Sequence, residues 1–393
     1  MGSYSHISFN DYPIFTNKNS YNHAVVNSLF LPEDFIVEER LNATRNKIAW
    51  GIDDNDFGKY IFKGFVQTAK ICKERLEIYG NSLSIAKKDF EKARIVSREE
   101  FIYDFPIGKV TYKNYLNELS IILKNKEKNY NGLYENLKES LIANELSIIG
   151  QSIPGFLYSI LSVIPEDSII EYDLTEVIYG GWVKESETKQ ITIEKIIVLG
   201  EGKTDTEFIS KSLQKLYPHL FPYYHFMDFD EFKVESNASA LVKLVTALAA
   251  SNVKHPIIVI FDNDTTGIME MKRLAQLNLP LNIRVLKYPD LNSAKSYPTI
   301  GPTGAKKMNV NGLACGIEMY FGRDVLNKGN SIIPIQWKAY NEKEKQYQGE
   351  ISEKIYTQEK FREKLKSTNK SDFEDIELIL KSIFGAFSIR TSR

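Results

Sequence analysis

The chain has 393 residues, 43% hydrophobic and 12% aromatic, enough for two or three domains with packed cores and too apolar for disorder to be the default. Fifty basic residues against 51 acidic leave a formal charge of −1, so no global attraction draws it to a polyanion; such a contact must come from local patches or bound cations. Two distant cysteines, Cys72 and Cys315, are too few for a disulfide framework or a zinc site and suit a reducing, cytoplasmic compartment.

In chain order, residues 1–55 read as a small β-rich part. The opening Met1 to His6 lacks the basic segment and apolar core of a signal peptide, and His6 stands where myristoylation needs Ser or Thr. Helical spacing begins at Phe57 to Tyr79 and continues at Ser82 to Ser97, Tyr112 to Lys126, Tyr134 to Leu146 and Phe156 to Ile164, which makes 56–190 a mainly helical region. Trp182 to Gln190 reads as a polar connection. No apolar stretch is long enough to span a membrane.

Residues 191–325 change character. An apolar run ends at Leu199; then come helical spacing over Thr206 to Tyr217, an apolar-aromatic run Tyr223 to Phe229, an Ala- and Leu-rich stretch Ala238 to Ala250, the run Ile257 to Phe261, and Asn282 to Tyr288. Strands alternating with helices predict an α/β fold with a parallel sheet and right-handed crossovers. Tyr297 to Lys307 reads as a Gly- and Pro-rich loop whose Lys306 and Lys307 could touch phosphates. Residues 326–393 read as a C-terminal helical extension, with Lys and Glu alternating through Lys343 to Lys364 on a solvated helical face.

Two acidic clusters follow the buried runs: Glu201-Gly202-Lys203-Thr204-Asp205 and Asp262-Asn263-Asp264. Carboxylates at the C-terminal ends of parallel strands converge on one sheet edge, and crowded hard oxygen ligands suit Mg²⁺ or Mn²⁺. Gly202-Lys203-Thr204 also looks like the end of a P-loop, but the glycine that should open that loop falls at Ile197, inside the strand. A helix beginning near Thr204 as N-cap would set Glu201 and Asp205 one turn apart, facing the same ion.

Glu201-Gly202 followed by Asp262-Asn263-Asp264 resembles the Toprim domain, the Rossmann-like fold shared by primases, topoisomerases and several nucleases. The acid, three residues, then Asp205 is similar to the overcoming-lysogenization-defect (OLD) Toprim nucleases. That family implies two further features: a Ser-x-Glu, matched here by Gly316-Ile317-Glu318 with glycine in place of serine, and a downstream lysine, for which Lys354 is the candidate. Met1-Gly2-Ser3-Tyr4, Asp11-Tyr12-Pro13-Ile14, Ala49-Trp50-Gly51 and Lys73 to Gly80 resemble the N-terminal domain that precedes HEPN or Toprim domains in bacterial proteins. A HEPN ribonuclease site itself is not expected, since none of the five histidines follows an arginine at the required spacing.

Together these resemblances imply a two-metal phosphodiester hydrolase, a nuclease acting in bacterial defence against phage. Asp262 would bridge two Mg²⁺ or Mn²⁺ ions, Asp264 and Asp205 would complete one site, and Glu201 and Glu318 the other. Glu201 could also relay a proton, Lys354 would offset transition-state charge, and Lys203, Lys306 and Lys307 would contact substrate. Nucleic acid is the expected partner, DNA ahead of RNA, with room for a partner subunit of a defence system or a homo-oligomer. The alternatives are nucleotidyl transfer of the primase type and a non-catalytic regulatory or binding subunit.

Overall fold

The fold is described from a computed structural model over residues 2–50, 57–99, 105–127, 136–227, 235–367 and 372–388. It divides into two compact units, Met1–Ile193 and Glu194–Arg393.

In the first unit five strands, β1 (Tyr4–Phe9), β2 (Tyr12–Lys18), β3 (Phe35–Leu41), β4 (Lys59–Thr68) and β5 (Ile169–Asp173), form an antiparallel sheet in the order β2-β1-β5-β4-β3. β4 corrects the helical reading of Phe57 to Tyr79, of which only Ala69–Glu77 is helix. β4 is hydrogen-bonded on both sides and buries Phe62, Gly64 and Phe65; a methyl on Gly64 would come within 2.1 Å of the Tyr172 carbonyl oxygen on β5. The expected boundary near residue 55, itself outside the described residues, falls between strands that pair in this one sheet. Phe9, Phe30, Phe65, Tyr115 and Phe156 share one core, so residues 1–55 are not a domain of their own.

Helices Leu83–Glu99, Tyr112–Asn125, Leu137–Ala143 and Ile153–Leu161 occupy the regions where helical spacing predicts them, although residues 134 and 135 of that reading lie outside the described residues. The expected polar connection contains the helical turn Glu185–Thr188 and buries Val183 and Thr188.

The second unit is built on a parallel sheet of β6 (Ile196–Leu199), β7 (Tyr224–Phe226), β8 (Ile257–Phe261) and, after the short β9 (Asn263–Asp264), β10 (Ile283–Lys287). Their order is β10-β8-β6-β7, with every pairing parallel. β8 is buried at all five residues, as a run of Ile, Val and Phe covered on both faces must be. Helices Lys203–Leu216, Ala238–Ala250 and Thr265–Ala275 provide the crossovers. Residues 228 and 229 of the expected run after Tyr223 lie outside the described residues.

The chain leaves β6 for β7 on one side, and β8 lies on the other, so the strand order reverses between β6 and β8. A crevice opens beyond the strand ends at such a point.

The rest of the unit departs from the sequence reading. Tyr297 to Lys307 is not a loop but a hairpin of β11 (Tyr297–Gly301) and β12 (Gly304–Met308). The extension expected to be helical contains strands: β13 (Ala314–Cys315) precedes it, then the small hairpin β14 (Asn327–Lys328) and β15 (Ser331–Ile332), then β16 (Ile335–Asn341) and β17 (Gln346–Ile351). A second sheet runs β12-β11-β16-β17. Helices Lys354–Lys366 and Glu374–Phe384 follow, so only the last part of Lys343 to Lys364 is helical.

Candidate functional site

The register of β6 against β8 places Leu199 beside Val259, so Glu201, two residues on, comes level with the end of β8. There the backbone N–H of Asp262 donates to Glu201 Oε1 at 2.8 Å. Gly267, in the first turn of the helix that follows, makes room for this contact. A methyl on it would lie 2.5 Å from the Asp262 carbonyl oxygen and 2.7 Å from Glu201 Oε1.

The helix carrying Asp205 starts at Lys203 with Gly202 as N-cap, which corrects the expected Thr204 cap. Asp205 is buried in its first turn and accepts from the Tyr288 hydroxyl at 3.0 Å. Asp264 caps the helix Thr265–Ala275 through Gly267 N–H at 2.7 Å and also accepts from the Gln348 amide. β9 pairs antiparallel with β13, setting Ala314 against Asp264 and bringing Gly316 and Glu318 to the same place. Gly316 has φ −73°, and a methyl there would lie 3.2 Å from Glu318 Oε2 and 3.3 Å from Asp262 Oδ2. Glu318, 3% exposed, accepts from Gln358 Nε2 at 2.7 Å and has Lys354 Nζ at 3.4 Å.

Asp262, Asp264, Glu318 and Lys354 therefore surround one cavity of about 200 Å³, together with Gly316, Lys338 and Gln348. Glu201 and Asp205 approach Asp262 from the β6 side. Burial raises the proton affinity of Asp262 well above the carboxylate range, and the neighbouring charges of Asp205, Glu201, Asp264 and Glu318 add to it. Burial and Asp264 push Glu201 up to about 8; burial and Glu318 push Asp205 up to about 6. Asp264 is raised by burial against the opposing Gly267 and Gln348 donors. Burial would lower Lys354, but Glu318, Asp262 and Asp205 outweigh it and keep the ammonium charged.

Asp262 Oδ1 is buried with no hydrogen-bond partner. An orphaned carboxylate oxygen amid four other acids is a cluster short of positive charge, and its all-oxygen donor set suits a hard cation. Among the described residues no three Asp, Glu, His or Cys side chains are disposed to hold an ion, and Glu201, Asp205, Asp264 and Glu318 each accept from a protein donor.

Of the expected substrate contacts, Lys203 is exposed at the first residue of its helix, and Lys306 and Lys307 are exposed on β12, the outermost strand of the second sheet. Lys338, Gln348, Gln358 and Gly267 were not singled out from sequence. Only Gly267 carries a local signal: a glycine just inside a helix start, where nothing but a close neighbour requires it. Helix Lys203–Leu216 is fixed to helix Lys354–Lys366 by the Arg362–Glu207 pair at 2.9 and 2.8 Å. Phe321 stacks on Phe361 at 4.0 Å and Phe208 packs edge-on against both, which joins the helices that carry Asp205 and Lys354.

Residues 1–195 match the family model described as HEPN/Toprim N-terminal domain 1, which supports a HEPN/Toprim-associated protein and hints at a nuclease-associated family. No curated protein and no solved structure matched the chain. Among the described residues no helix is long and apolar enough to cross a membrane.

Proposed function

We propose that the second unit is a Toprim-type nuclease centre that hydrolyses phosphodiester bonds of nucleic acid with two divalent cations. The observation that carries this reading is the convergence of four carboxylates on a fifth, Asp262, whose buried Oδ1 has no hydrogen-bond partner, at the switch point between β6 and β8. Asp262 would be shared between the ions, with Asp205 and Asp264 on one and Glu201 and Glu318 on the other. Mg²⁺ or Mn²⁺ bound there would supply an activated water and offset charge on the leaving oxygen. The chain's own groups do the rest. Burial and Asp264 raise the proton affinity of Glu201 in the metal-free cluster, so cation binding there would release its proton. The Lys354 ammonium stands at the mouth of the cavity, where it would meet phosphoryl oxygens.

From the resemblance to OLD-like nucleases we infer a role in bacterial defence against phage; the matched N-terminal domain itself hints only at a nuclease-associated family. One observation favours a second reading, a non-catalytic binding subunit: four of the five carboxylates are already held by protein donors. Isothermal calorimetry with Mn²⁺ separates the two. A nuclease centre takes up about two ions, with release of protons from the cluster; a binding subunit of this kind takes up none.

A further inference from the structure

The β16–β17 hairpin does more than close the cavity. Gln348 of β17 reaches Asp264 with its amide and Thr266 N–H with its carbonyl, and the Tyr347 carbonyl accepts from Thr265 Oγ1 at 2.8 Å. The hairpin is thus strapped to the helix that begins at the candidate metal ligands. On it lie three aromatic rings in sequence: Trp337 to Tyr347 at 5.9 Å between centroids, and Tyr347 to Tyr340, its cross-strand partner, at 5.1 Å. Tyr340 is 51% exposed and Tyr347 49%.

Trp337 is held from both sides. A methyl on Gly301 would lie 2.9 Å from its ring and one on Gly349 2.8 Å, so two glycines on flanking strands form the slot in which the indole is fixed. Beside the rings, Lys338 lines the cavity. Strands β11–β12 and β16–β17, with their turns, carry five lysines (306, 307, 338, 343 and 345) against three glutamates (342, 344 and 350).

Two half-exposed tyrosines beside a fixed indole, on a hairpin tied to the candidate metal ligands and carrying more lysines than glutamates, match the needs of an unpaired nucleic-acid strand. Its bases are free to stack, whereas those of a duplex are already stacked on each other. Resting on the nuclease reading, we propose that Trp337, Tyr340 and Tyr347 form a stacking platform that selects single-stranded nucleic acid for the site around Asp262.

The test is fluorescence anisotropy in EDTA, so that nothing is cleaved, with fluorescein-labelled 20-mers as single-stranded DNA, single-stranded RNA and duplex DNA. Wild type is expected to bind either single strand at least about tenfold tighter than the duplex. Tyr340→Ala/Tyr347→Ala should weaken single-strand binding by about 10- to 100-fold, while Tyr340→Phe/Tyr347→Phe binds as wild type. Neither pair should change the Mn²⁺-induced rise in melting temperature, which also reports that the variants are folded. Equal affinity for duplex and single strand, or full binding by the Ala pair, overturns the platform. Loss of the Mn²⁺ response in wild type with strand selectivity intact overturns the metal site and leaves the platform standing.

Discussion

Glu201 and Asp262 are 61 residues apart in the chain, yet the N–H of one donates to the carboxylate of the other at 2.8 Å. That contact exists because β6 and β8 are parallel neighbours in register, and it sets two acids against each other where water is scarce. The consequences below follow from that crowding.

Replacing the central acid should not weaken the metal-free protein. Asp262→Asn removes a group whose ionisation burial and four neighbouring acids oppose, so its melting temperature in EDTA should equal or exceed that of wild type. Addition of Mg²⁺ or Mn²⁺ should raise the wild-type melting temperature and leave the variant unmoved. A variant that melts well below wild type in EDTA would show that Asp262 has a structural partner this account omits.

Gly267→Ala tests the close approach at the helix start. Its methyl must displace Glu201 or the Asp262 carbonyl, so a loss of about 1–3 kcal/mol in stability is expected in urea unfolding, together with weakened metal response. Ala would otherwise favour a helix, so a stabilised variant would mean that Glu201 does not lie against this turn.

Stability of the metal-free protein should fall as pH rises. Glu201 near 8 and Asp205 near 6 both hold protons more tightly when folded than when unfolded. Their favourable contribution is therefore complete below about pH 4, the unfolded carboxylate range, and is lost as pH climbs through 6 to 8. Thermal melts in EDTA should show this decline, and saturating Mg²⁺ should flatten it. A melting temperature in EDTA that rises steadily from pH 5 to 8 would contradict the crowding.

Gly316 stands where the OLD-like pattern has serine, and its φ of −73° admits any side chain. The added Cβ lies 3.2 to 3.3 Å from Glu318 and Asp262, tight but between flexible carboxylate ends, and serine is a good cap for the helical turn it precedes. Gly316→Ser should fold normally and shift metal dependence, followed by melting temperature against Mn²⁺ concentration, to lower values. An unchanged titration would detach position 316 from the ligand set.

The strands that position two of the candidate acids are legible in the sequence, since apolar runs end at Leu199 and Phe261, just ahead of Glu201 and Asp262. Ile257 to Phe261 is the clearest case. The depth of the site is not legible: Gly267 matters only through Glu201, which the β6–β8 register delivers from 66 residues away in the chain. β4 reads as helix in the sequence because Tyr60, Phe62, Phe65 and Val66 sit just ahead of the true helix Ala69–Glu77, and their apolar spacing merges with it. β16 and β17 were hidden for another reason. Alternating Lys and Glu look alike on a helix face and across a hairpin, where Lys338 pairs with Glu350 at 3.2 Å. That misreading also concealed Lys338, Gln348 and the aromatic row.

The most direct measurement is a time course of cleavage of plasmid DNA and of a long RNA by wild type and Asp262→Asn, each in Mg²⁺, Mn²⁺ and EDTA. Wild type should cleave with either metal and not in EDTA, and the variant should lose at least about 100-fold. Undiminished cleavage by Asp262→Asn, or cleavage that persists in EDTA, would contradict the two-metal centre.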